Sequence, residues 1–235
     1  MIKNKKKNFL VLWWGVLLIG LFFRLLYWGL TNGEYLRDEI TYLQRMEYVS
    51  KYGINSGTSN LFFQFLGVLL SESVREQCLR GFNCLFSGIN LIVIYFFGKK
   101  LFNSKGDGLL LMLLAAFNPY TIRLSSSILR EPLYLLVASI ELLLCLTWMS
   151  SSKKWVVPWI AVVAVFGFWV RYEGLELLFI FLISWGYVFV TQKKKMMSDL
   201  MIYVLSYVLA MTALVVFVPH LVDHVIAKIS IVLLS

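Results

Sequence analysis

Charge is what this sequence lacks most. Only 15% of its 235 residues are Asp, Glu, Lys or Arg, where an average soluble domain carries about 25%, so an ordinary water-soluble fold is excluded. Cysteine is sparse as well. Cys78, Cys84 and Cys145 lie in or beside apolar segments at no metal-ligand spacing, which excludes a disulfide scaffold and reads as reduced packing residues. No internal repeat or low-complexity linker appears, so collagen-like and disordered chains are excluded too. There is no Gly-rich phosphate loop of either nucleotide type and no elbow-type serine nucleophile, which leaves cytoplasmic nucleotide-sugar chemistry unsupported. His220-Leu-Val-Asp223-His224 approaches a zinc-protease spacing but has Asp where that motif needs Glu, and neither a metal site nor a cofactor is expected.

What is present is hydrophobicity. Apolar residues make up 60% of the chain and aromatics 16%, with a mean hydropathy of +0.77. Several apolar runs approach the roughly 18 to 20 residues needed to cross a bilayer. They lie at about 9 to 30, 82 to 98, 108 to 119, 133 to 149, 155 to 170, 174 to 190 and 200 to 218. The expected fold is therefore an all-α polytopic membrane protein with about seven transmembrane helices, one domain over residues 1–235. Lys3, Lys5, Lys6 and Lys7 precede the first span as they would in a signal peptide. That span is long, carries Arg24 and lacks a small-residue cleavage site, so it reads as an uncleaved anchor.

The basic residues sort by type. With a cytoplasmic N-terminus, alternation puts Lys99, Lys100 and Lys105, then Lys153 and Lys154, then Lys193, Lys194 and Lys195 on the cytoplasmic side. Every lysine cluster then obeys the positive-inside rule, which accounts for much of the net charge of +9 without nucleic acid as a partner. The expected location is the plasma membrane. Arg37, Arg45, Arg75, Arg80, Arg123, Arg130 and Arg171 fall on the opposite side, with Arg24 near it. A guanidinium grips phosphate or carboxylate in two places, so this segregation points to an anionic ligand outside, with simple interfacial anchoring as the alternative.

The acids gather on that same outer side. A first outer loop runs from about 31 to 80, and its apolar stretch 61 to 70 is too short to cross and is placed along the membrane surface. Long loops of this kind are usually functional. In it, Asp38, Tyr42 and Arg45 stand at i, i+4 and i+7, one face of a short helix, with Glu39 beside them. The second outer loop, 120–132, ends in Arg130-Glu131-Pro132, where a helix start and the neighbouring cation favour ionised Glu131. A third outer turn holds Arg171-Tyr172-Glu173-Gly174. Glu176 shares a face with Glu173, and Glu141, deep in a span, is expected to pair with a polar group on a neighbouring helix.

These residues resemble those of the GT-C glycosyltransferases, in particular the branch of polyprenyl- or dolichyl-phosphate-sugar-dependent mannosyltransferases and aminoarabinose transferases. The resemblance rests on Asp38-Glu39-x-x-Tyr42, on Asn118-Pro119 followed by Ser126 and Arg130-Glu131, on Arg171-x-Glu173-Gly174, and on the seven-helix core. It implies an inverting hexosyl or pentosyl transfer on the extracytoplasmic face from a polyprenyl-phosphate donor to a glycan, lipid or protein acceptor. By the same resemblance Asp38 is the base, Glu39 or Tyr42 orients the site, Glu131 is the second acid, and Arg171 with Arg130 contacts phosphate. Arg45 and Glu173 complete the expected substrate-binding set. Relatives continue with further helices, so the chain is expected to be a minimal core, a fragment or one half of a complex with a partner subunit. A transporter or binding subunit for lipid-linked sugars, or a non-catalytic partner in glycan assembly, is the alternative.

Overall fold

The computed structural model describes residues 2–31, 35–52, 62–151, 153–192 and 197–217. Lys193–Lys195 and His220–His224 lie outside the described residues. Those described form α1 (Ile2–Leu30), α2 (Arg37–Tyr52), α3 (Phe62–Val68), α4 (Glu72–Leu101), α5 (Lys105–Ala116), α6 (Pro119–Ser125), α7 (Glu131–Ser151), α8 (Val157–Val170), α9 (Leu175–Gln192) and α10 (Met197–Phe217). Short 3-10 turns, Lys154–Val156 and Tyr172–Gly174, lead into α8 and α9. No strand occurs among the described residues. The protein is an all-helical, polytopic membrane protein.

The expected seven crossings resolve into three kinds of element. Asn8–Leu30, α4, α7, Tyr172–Thr191 and α10 are each long and apolar enough to span a bilayer. α5 and α6 make a sixth span only as a pair, bent by 63°. The remaining expected span, Lys154–Val170, is apolar but shorter. The helix of the third span ends at Ala116, just before Pro119, but the chain does not pass into a loop there. Asn118 caps a new helix instead, its side-chain oxygen accepting from the backbone N–H of Tyr120 at 3.0 Å and Thr121 at 3.3 Å, with Pro119 in the first turn where its missing N–H is harmless. The outer loop is likewise shorter than read, because α4 starts at Glu72 and carries Arg75 and Arg80 on its first turns.

Contacts between helices define two ends of the bundle. Lys99 and Lys100 line one surface groove with Thr147 and Ser150 at the end of α7, next to the turn of Lys153 and Lys154, so these lysine clusters share one end. Arg80 donates to Ser126 and Arg171 lies near Glu131, at the other end. Between them α4 packs along both α5 and α7. Gly98 and Gly108 let α4 and α5 approach so closely that a Cβ on Gly108 would stand 2.7 Å from the Tyr95 carbonyl.

Arg24 holds the bend. It is buried, and its guanidinium donates to Ser87 Oγ (2.7 Å), the Gly20 carbonyl (2.9 Å), the carbonyls of Ala115 and Ala116 (both 3.3 Å) and Thr121 Oγ1 (3.4 Å). The last carbonyls of α5 lose their helical N–H donors where the helix breaks, the Thr121 hydroxyl reaches only that of Ala115, and a cation at a helix C-terminus is favoured by the dipole. Glu141 departs from expectation: it is fully buried, and neither carboxyl oxygen has a hydrogen-bond partner among the described residues. Asp199, also buried, does find a partner and accepts from the Trp148 indole at 3.1 Å.

Arg24→Met should therefore lower stability by about 1–3 kcal/mol, the usual consequence of stranding buried acceptors, read as a lower thermal midpoint in detergent. An unchanged midpoint would show that the bend does not need the guanidinium.

Candidate functional site

α2 lies across the arginine end because its underside is apolar. Met46 is fully buried with Phe63 of α3, Leu79 of α4 and Ile128 of the α6–α7 loop, forming a small core of their own. Beside it, Glu39 is turned inward and buried. One carboxylate oxygen accepts from the Leu36 N–H at 2.6 Å, closing the first turn of α2, and the other accepts from the Ile128 N–H. Arg80 lies 3.5 Å from that second oxygen, 3.2 Å from Glu76, and donates to the Ser126 carbonyl at 2.6 Å. Asn83 completes the attachment by donating to the carbonyls of Ser127 and Leu129 at 2.6 and 2.7 Å. Glu39 is thus fully engaged with backbone and cation, a positioning group rather than an exposed reactant.

The face of α2 that carries Asp38, Tyr42 and Arg45 meets the other two expected segments. Tyr42 is half-buried and within electrostatic reach of Arg130, Glu131, Asp38 and Arg45, and burial pushes its phenol above the ordinary value. Arg171 lies 3.1 Å from Glu173 and 3.9 Å from Glu131, while Arg130 reaches Glu173 at 3.7 Å. The Arg171 guanidinium also lies 5.6 Å over the Tyr134 ring, and Tyr134 donates its hydroxyl to Glu176. The turn that holds Arg171 and Glu173 is tight because Gly174 rests on the backbone of Gly167, where a Cβ would clash.

Not every group in the cluster is paired. The Arg130 Nε and the Glu131 Oε2 are buried with no hydrogen-bond partner among the described residues. Asp38 and Arg45 are exposed at the rim. Tyr42, Arg130, Glu131, Arg171 and Glu173 are thus brought together as expected, with Asp38 and Arg45 alongside and Glu39 withdrawn from them. Asn83 and Tyr134 were not singled out from the sequence, and Arg80 was read only as one of the outer-side arginines. The available signal was their polarity at the start of apolar helices, where a side chain that cannot face lipid must face protein.

Below this cluster, α8 and α10 leave an apolar groove of about 600 Å³ lined by Val165, Phe166, Trp169, Ala213 and Leu214 and roofed by Phe65 of α3. Trp169 stands two residues before Arg171, and its indole N–H is buried without a partner among the described residues.

A family model described as dolichyl-phosphate-mannose-protein mannosyltransferase matches residues 60–222, well over half of the chain. The match takes in Arg130, Glu131, Arg171 and Glu173 and begins after α2. No curated protein and no solved structure matches the chain.

Removing Glu39 leaves Arg80 buried with one carboxylate fewer, so Glu39→Gln should cost about 3 kcal/mol, the low end for a broken buried pair because Glu76 still faces Arg80. Chemical unfolding in detergent reads this, and the double variant Glu39→Gln/Arg80→Met should recover part of the loss. No recovery would mean that the pair is not the source of the cost.

Proposed function

We propose, on the premise that the chain belongs to the dolichyl-phosphate-mannose-protein mannosyltransferase family, that it transfers a sugar from a polyprenyl-phosphate donor to an acceptor hydroxyl at its arginine end. Family membership makes it a membrane glycosyltransferase. The observation that carries the finer reading is the cluster above the groove, in which Arg130 Nε and Glu131 Oε2 are buried without hydrogen-bond partners among the described residues, beside Arg171. Buried polar atoms are rarely left unpaired, and a ligand arriving between two charged groups is one partner that would satisfy them. A prenyl chain suits the apolar groove, and Trp169 joins that groove to the Arg171 turn, so the donor phosphate falls among Arg171, Arg130 and the Trp169 indole.

In the reaction, the Asp38 carboxylate takes the proton of the acceptor hydroxyl as its oxygen attacks the anomeric carbon. The bond from that carbon to the phosphate oxygen breaks, inverting the configuration, and the electron pair leaves with polyprenyl phosphate. Arg171 and Arg130 stabilise the charge that develops on the departing phosphate. Glu131 holds a sugar hydroxyl through its unpartnered oxygen, and Glu173 keeps both guanidiniums in place. Tyr42 orients the site from the half-buried face of α2. By the positive-inside rule the lysine end is cytoplasmic and the reaction extracytoplasmic.

The test is transfer of labelled sugar from a panel of polyprenyl-phosphate sugars by the protein in liposomes. Asp38→Asn should reduce turnover by about 10²- to 10⁴-fold, the usual contribution of a general base, while donor-lipid binding persists. Turnover unaffected by that substitution would remove Asp38 from the mechanism, and donor binding without turnover by the wild-type chain would favour a binding or partner subunit.

A further inference from the structure

At the lysine end, a groove of about 660 Å³ opens between the last turns of α4 and of α7. Phe96, Lys99 and Lys100 of α4, with Asn103 just beyond it, line one side, and Leu143, Leu144, Thr147 and Ser150 of α7 line the other. Both helices are long and apolar enough to span a bilayer, so the groove lies where they leave it. The transfer reading uses none of these residues.

The lining changes character along the helix axis. Phe96, Leu143 and Leu144 are apolar, and Ser150 stands seven residues beyond Leu143, about 10 Å at 1.5 Å per residue. Over that distance the groove passes from hydrocarbon to ammonium, amide and hydroxyl groups, the order in which a lipid presents its chain and its head. No carboxylate lines it, and neither lysine has one as a partner among the described residues. Lys99 lies 6.0 Å over the Phe96 ring instead. The carbonyl ends of α4 and α7 each carry about half a negative charge, so two lysines leave this end of the groove net positive.

The hydrogen-bonding groups narrow the headgroup. An ionised phosphodiester has no proton to give and needs donors, which the two ammonium groups supply. Asn103 adds an amide: its left-handed backbone (φ 52°) turns the chain out of α4, and its side chain has no partner among the described residues. The Thr147 and Ser150 hydroxyls donate to the carbonyls of Leu143 at 2.7 Å and Thr147 at 3.1 Å, so they offer lone pairs instead. Those suit hydroxyls on the headgroup itself. We propose that this groove binds one anionic glycerophospholipid with a hydroxylated headgroup, of the phosphatidylglycerol class. Its phosphodiester meets Lys99, Lys100 and Asn103, and the start of one acyl chain runs along Phe96, Leu143 and Leu144. By the positive-inside rule this is the cytoplasmic leaflet, where basic pockets between spanning helices hold anionic lipid heads.

Native mass spectrometry of the chain released from detergent, titrated with phosphatidylglycerol or with phosphatidylcholine of the same acyl chains, tests this. Phosphatidylglycerol should fill one high-affinity site per chain and raise the thermal midpoint, and phosphatidylcholine should do neither. Lys99→Gln/Lys100→Gln should weaken phosphatidylglycerol binding by about 25-fold, roughly fivefold for each lysine at an anionic lipid surface. Ser150→Trp, which fills the groove and keeps both lysines, should weaken it comparably. Both lysines and Ser150 are outside the buried core, so these variants are expected to fold. Lys105→Gln/Lys153→Gln removes the same charge from outside the lining and should leave the affinity unchanged. Equal binding of the two lipids, or phosphatidylglycerol binding that survives both groove variants, overturns the site. A loss as large in the Lys105 and Lys153 control shows attraction to surface charge alone and overturns it as well. None of these outcomes depends on transferase activity.

Discussion

The outer end of this protein depends on one buried carboxylate. Glu39 joins three segments that hydrophobic burial alone would leave loosely related: the first turn of α2 through the Leu36 N–H, the α6–α7 loop through the Ile128 N–H, and α4 through Arg80. A carboxylate taken out of water needs this number of donors, because an unpaired buried charge is far costlier than a paired one. The requirement works in both directions. The donors fix Glu39, and Glu39 in turn fixes the loop that delivers Arg130 and Glu131 to one side and Ser126 and Ser127 to the other.

A parallel solution operates within the membrane span. The break between α5 and α6 exposes carbonyls that lipid cannot satisfy, and Arg24 supplies the donors from α1. The bend sends α6 across the end of the bundle, which brings Arg123 and the following serines above α1 and α4. Buried charged groups here are structural where their hydrogen bonds are complete, as for Arg24 and Glu39. They are candidates for ligand contact where those bonds are open, as for Arg130 and Glu131.

Much of this was legible in the sequence, and the failures have specific causes. Hydropathy found the spans because only a continuous apolar run can cross lipid, and the lysine and arginine segregation found the two ends. The i, i+4, i+7 spacing of Asp38, Tyr42 and Arg45 gave the correct shared face. It could not separate Asp38 from Glu39, which differ by about 100° around the helix, since which face is covered depends on α3, α4 and a loop distant in sequence. Arg80 was read as loop because α4 starts earlier than its apolar stretch, its first turns being amphipathic rather than lipid-facing. Glu141 was expected to pair, and its carboxyl has no hydrogen-bond partner among the described residues; no pattern within one helix reports what the neighbouring helices present to it.

The central claim is that a lipid-phosphate sugar binds with its chain between α8 and α10 and its phosphate at the Arg171 turn. Photocrosslinking with a polyprenyl-phosphate sugar carrying a diazirine on the first isoprene units, followed by mass spectrometry of the labelled peptides, tests it most directly. Labelling should fall on the segment around Phe166–Trp169 and on α10 near Leu214, and Arg171→Gln should abolish it. Labelling concentrated at the lysine end of the bundle, or unaffected by the loss of Arg171, would contradict the account.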